Sequence, residues 1–207
     1  MPQYLIFKIK VMKKVLLVLL FIPTLLIAQQ REKYDTVNPI YEEVFPIENG
    51  RIVFSEVVPV DNVSKDELFV RANSWIARTF NSPKDVIQFN DKEAGKIICK
   101  TVTGATVGKG FNKVTIDPVY FILQIETREG RYRIVASDFI HEYRIKIGQI
   151  TNEGENLLEE YYRLKEPTKK ELENNFAIAE VISNRVLAIF ESAKLAMAVQ
   201  SNTDDDW

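Results

Sequence analysis

A chain of 207 residues, 46% hydrophobic and 27% charged, is long enough to bury one core without metal or disulfide staples, and its single cysteine, Cys99, rules out an internal disulfide. With 27 basic against 29 acidic residues it lacks the cationic surplus that displaces counterions from phosphate, which argues against nucleic acid as a partner.

Lys13 and Lys14 lead into an apolar run over residues 15–28 that closes on the small residue Ala28, the pattern of an export signal. The run is shorter than the ~20 apolar residues a spanning helix needs and contains Pro23, so cleavage after Ala28 is expected, not a membrane span. Met12 directly precedes the two lysines and is the expected start of translation. Gln29, not a cysteine, would open the mature chain, so no lipid tether is expected and the product is periplasmic or secreted. Removing residues 1–28 takes away four lysines and no acid, which leaves 23 basic and 29 acidic residues and a net charge of −6.

Residues 29–49 are polar, carry Pro39 and Pro46 and show no sustained period, and they read as an N-terminal lead that packs only in part. Residues 51–60, rich in β-branched side chains, predict a strand ended by a turn. Ser64-x-x-Glu67 is a capping box, and Leu68, Ala72, Trp75, Ile76, Thr79 and Phe80 repeat at helical spacing behind it. Two short apolar runs, 86–89 and 96–102, read as a strand pair, and the glycine-bearing stretch 104–110 as a flexible loop.

Two longer strands flank a turn at Glu129-Gly130. A two-residue turn pairs Ile125 with Ile134, Leu123 with Ala136 and Val119 with Ile140 on a core face, and Glu126 with Arg133 on the other. On that second face Tyr120, Ile122 and Phe139 gather, and an apolar second face is either covered or a binding surface; these three are the candidate binding residues. Past Ile150 a short helix is expected over 155–164, with Glu155, Glu159 and Glu160 on a solvated side. Thr168-x-x-Glu171 then caps a long helix whose stripe of Leu172, Phe176, Ala179, Ser183, Val186, Phe190, Ala193 and Met197 favours packing on a sheet. Residues 202–207, with three aspartates, read as a frayed tail.

The divisions expected are therefore a signal (1–28), a lead (29–49), an α+β domain (50–150), a C-terminal helical extension (151–201) and the acidic tail. Gly50-x-Ile52-x-Phe54, Ser64-Lys65-x-Glu67-Leu68, Trp75-Ile76-Ala77 with Phe80, Asp91-Lys92-x-x-Gly95-x-Ile97 and Gly130-Arg131-Tyr132-Arg133 together resemble a family of exported bacterial domains of unknown function with a TBP-like fold. That resemblance implies an antiparallel sheet in β-α-β-β-β-β order with a helix on one face, and no activity or site residue, because none is assigned to the family. The fold name is shared with a DNA-binding protein, but fold does not carry function.

No constellation names a reaction. Asp138 and His141, the sole histidine, point to opposite faces of a regular strand, so an acid-base pair would need a bulge; Asp138 itself falls on the core face opposite Phe121. Cys99 in an apolar run reads as a small buried hydrophobe, and Gly104 to Gly110 lacks the spacing and the Ser or Thr of a phosphate loop. No metal or cofactor is expected. Three roles follow: an exported, non-enzymatic module that binds a protein or envelope component through Tyr120, Ile122 and Phe139; a structural protein that assembles through the long helix; and, less favoured, a hydrolase built on Asp138 and His141.

Overall fold

The computed structural model describes residues 37–147, 150–163 and 167–198; the expected export signal and the expected frayed tail lie outside these residues. Arg51 to Pro59, expected as one strand, divides at Val53. Its first part, β2 (Arg51–Ile52), pairs with β1 (Ile47–Glu48), and its second, β3 (Phe54–Pro59), joins the main sheet. Helix α1 (Lys65–Thr79) begins where the Ser64 hydroxyl accepts a hydrogen bond from the Glu67 N–H at 3.2 Å. A single turn, α2 (Pro83–Val86), leads into β4 (Ile87–Asp91), β5 (Lys96–Val107), β6 (Val114–Arg128) and β7 (Arg131–Ile147). The four-strand run after α1 is the order expected.

The stretch 104–110 departs from expectation, because β5 continues through Gly104 to Val107. The helix expected over 155–164 is also replaced: β8 (Ile150–Leu157) is a strand, followed by one turn, α3 (Leu158–Tyr161). Helix α4 (Lys169–Ala198) starts at the expected capping box, with the Thr168 N–H donating to Glu171 at 2.8 Å and the Glu171 N–H to the Thr168 hydroxyl at 3.3 Å.

The six-stranded antiparallel sheet has the order β3-β7-β6-β5-β4, and β8 shares with β3 the edge of β7 that faces away from β6. The first half of β7 takes β3, up to Phe54 opposite Ala136; its second half takes β8, from Ile140 opposite Leu157. Helices α1 and α4 lie together on one face. Trp75 donates its indole N–H to Ser192 at 3.0 Å, Arg71 donates to the Met197 carbonyl at 2.8 Å, and Lys194 pairs with Glu56 at 2.7 Å. Beneath them Ile97, Cys99, Phe121, Leu123, Ile125, Ile134 and Ala136 form the floor of the core.

The lead, expected to pack only in part, and the stripe of α4, expected to pack on a sheet, both supply core residues. In the lead, Val37, Tyr41 and Phe45 are buried, with Tyr41 and Phe45 edge-on to Tyr162 at 4.7 and 5.2 Å between ring centroids. The stripe of α4 is spent in the same core: Ala179, Ser183, Val186, Phe190, Ala193 and Met197 are buried against the rest of the chain. The stripe proposed for self-association is therefore occupied within the chain. Among the described residues no helix is long and apolar enough to cross a membrane.

Candidate functional site

The face of the sheet opposite α1 and α4 carries no helix of the described residues. Its side chains follow from register, because cross-strand partners share a face. At the β6–β7 turn Arg128 stands opposite Arg131. Next come Val57, Arg133, Glu126 and Lys96, joined by ion pairs from Arg133 and Lys96 to Glu126 at 2.7 and 3.6 Å. The middle mixes apolar and polar side chains, with Ser55, Val135, Gln124, Ile98 and Phe89 in one row, Ser137, Ile122 and Lys100 in the next, and Ile140, Tyr120 and Val102 beyond. Lys100 lies over the Tyr120 ring at 4.7 Å. At the far end Glu142 stands opposite Glu155, and Arg144 pairs with Glu153 at 2.9 Å.

Tyr120 and Ile122 belong to this open face and are partly exposed, whereas Phe139 does not and must be removed from the candidate set. The register shifts between Tyr120 and Ile122, where Phe121 faces an extra residue of β7. This bulge places Asp138 at φ 54° and turns the following side chain over. Phe139 enters the core, stacked on Phe121 at 5.1 Å and edge-on to Phe54 at 5.9 Å, with 0% exposure. The same shift pairs Val119 with His141 instead of Ile140.

Asp138, expected on the core face, is thrown outward and pairs with Arg51 at 3.0 Å. The Arg51 Nε also lies 3.2 Å from Glu159, whose Oε1 accepts the Ile52 N–H at 2.9 Å. Glu159, expected on a solvated face, is fully buried, because the strand β8 delivers it beneath the β1–β2 ribbon. Arg51 thus bridges a buried carboxylate and an exposed one and ties β2, the β7 bulge and α3 together. Its partners are distant in sequence, and no local pattern could have indicated them.

The remaining reactive groups are dispersed. His141 does not meet Asp138; burial lowers its pKa, and the carboxylate of Asp117 partly opposes that shift. Burial pushes the Cys99 thiol up to about 11, so it is protonated and shielded at neutral pH. Gly104 is packed so closely on Asp117 that a Cβ would stand 2.6 Å from its Oδ1, and its carbonyl accepts from Arg185, so the glycine stretch is a tight crossing of strands. Among the described residues no three His, Cys, Asp or Glu side chains converge as a metal site would require.

Two grooves border the open face. One of about 640 Å³ is lined at the acidic end by Asp117, Glu142, Tyr143, Arg144, Glu153 and Glu155. The other, about 240 Å³, lies among Val57, Arg128, Arg131 and Arg133 at the basic end.

Four residues of the motif quoted for the family resemblance, Lys65, Asp91, Gly95 and Gly130, lie elsewhere, at the corner where three turns meet. The Lys65 N–H donates to Glu129 at 3.1 Å and its Nζ to the Glu93 carbonyl at 2.9 Å. Asp91 accepts from the Ala94 N–H at 2.9 Å, and the Gly130 N–H donates to the Val63 carbonyl at 2.9 Å. Gly95, at φ 65°, packs so tightly that a Cβ would stand 2.7 Å from the Thr127 carbonyl oxygen.

A single antiparallel sheet with helices on one face and an open opposite face defines an α+β domain of the TBP-like class. Residues 54–142 match the family model described as "Domain of unknown function (DUF4468) with TBP-like fold". A TBP-like protein from Parabacteroides distasonis is similar at 19% identity and TM-score 0.51, over 73% of this chain and 97% of that one. A DUF4468 family protein from Bacteroides ovatus is similar at 14% identity and TM-score 0.57, over 77% of this chain and 93% of that one. At those identities the likeness is one of fold. No curated protein matches the chain.

Proposed function

We propose that this protein is an exported, non-enzymatic module that works by binding another protein in the cell envelope through the open face of its sheet. The observation that carries this reading is the one-sided distribution of the helices: α1 and α4 both lie on the core face, so Tyr120, Ile122 and their neighbours stand without a covering element of the described residues. Val57, Val102 and Phe89 on the same face are 58%, 57% and 44% exposed, an apolar concentration that marks contact surfaces. Dispersal of His141, Cys99, Asp138 and Glu159 supports a binding role over chemistry. The apolar run 15–28 supports export.

A photoreactive amino acid placed at position 122, and in a second strain at Leu187 on the outer side of α4, tests this in illuminated cells. A discrete protein adduct at 122 that is missing at 187 is expected, in an envelope fraction, on a chain whose first residue lies near Gln29. Absence of any adduct at 122, or an unprocessed cytoplasmic chain, defeats the proposal.

A further inference from the structure

The open face is electrically polar along its strands. At the turn end, Arg128 and Arg131 stand directly opposite each other across β6 and β7, and neither makes an ion pair with another described residue. Arg133 and Lys96 add to them, and Glu126 with Asp91, which stands opposite Lys96, offset them in part. At the far end Glu142 stands directly opposite Glu155 across β7 and β8, with Glu153 beyond, and Arg144 pairs with Glu153. Like charges facing each other across a ladder destabilise a sheet. This sheet carries two such pairs, of opposite sign, with a field of apolar and uncharged polar side chains and Lys100 between them.

We propose that the face docks on a second copy of this chain, with a two-fold axis lying across the strands between the Gln124 and Ile122 rows. This rests on the reading of the open face as the docking surface and names its partner. A rotation about that axis reverses the strand direction while keeping the two sheets in contact, so the arginine end of each copy covers the glutamate end of the other. Arg131 of one copy then meets Glu142 of the second, both on β7, twice in the assembly, so one member of each like-charged pair gains an opposite charge. The alternative axis, along the strands, stacks arginines on arginines and is disfavoured.

The dimensions are adequate. Eleven residues from Arg131 to Glu142 span roughly 35 Å at ~3.3 Å each. Five strands ~4.8 Å apart over ~30 Å offer on the order of 700 Å² in projection, close to the roughly 800 Å² per partner that a specific interface buries.

Sedimentation of the full chain as the cell processes it, at 1 to 100 μM, tests the proposal. The wild type is expected to show a concentration-dependent monomer–dimer equilibrium that weakens as salt is raised. Arg131→Glu and Glu142→Arg should each loosen the dimer at least tenfold, since each creates two like-charge contacts. An equimolar mixture of these two variants should recover dimer, because one copy then presents only acids and the other only bases at the reversed positions. Both side chains lie at the surface, so loss of fold is not expected, and recovery on mixing verifies that each variant is folded. A wild type that stays monomeric at 100 μM overturns the proposal, as does a dimer indifferent to both reversals or a mixture that stays monomeric. If the adduct at position 122 contains a different protein and the wild type is monomeric, the docking face stands and the second copy falls.

Discussion

Asp138 and Phe139 show how one inserted residue decides what a surface contains. Strict alternation along β7 puts Phe139 beside Tyr120 and Ile122 and puts Asp138 in the core, and both placements are reversed at once by a single bulge. The sequence signal for it was the misfit itself, a carboxylate on a core face. A bulge that turns the carboxylate outward turns its apolar neighbour inward with it. Phe139→Ala should cost about 3 to 5 kcal/mol in denaturant unfolding, as truncation of a fully buried phenylalanine does, while Tyr120→Ser on the open face should cost under about 1 kcal/mol. Equal losses at the two positions would contradict the assigned faces. Glu159 was illegible for another reason: its burial depends on Arg51 and Ile52, more than a hundred residues away in the chain.

At the scale of elements, what was legible was local. Both helix starts, the Glu129-Gly130 turn and the register beside it follow from capping boxes and loop length, and they stand where expected. What was misread was set by distant partners. Residues 150–157 carry glutamates and asparagine that suit a helix as well as an edge strand, and only the free upper half of β7 makes them β8. The lead lacks a period because it packs through three separate side chains, Val37, Tyr41 and Phe45, and not through a repeating face. Helix α4 contributes Ile178, Ile182, Val186, Phe190 and Met197 to the core shared with α1 and the sheet. A chain ended after residue 150 should therefore lose its cooperative thermal transition and bind a hydrophobic dye, as expanded states with exposed cores do. A sharp transition in that shortened chain would show α4 to be dispensable.

The whole molecule couples its stability to pH through His141. Burial lowers the folded imidazole pKa from the ordinary 6.5. Below that value the unfolded chain takes up a proton that the folded chain refuses, so the unfolded state is favoured as pH falls. Stability contributed by the neutral ring is complete above about 6.5 and declines from there down to the lowered folded value. Denaturation midpoints of the wild type at pH 7.5 and pH 5.5 should differ by more than those of His141→Gln. An identical pH dependence in the two proteins would remove the histidine from the account.

The corner built by Lys65, Asp91, Gly95, Thr127 and Gly130 has a bearing on kinship. Backbone carbonyls and amides fill it so completely that Gly95 has no room for even a methyl group. A chain that closes its turns this way advertises how it is built and stays silent about its associations. Likeness that rests in part on this knot tells an investigator which architecture to expect and nothing of what each relative meets.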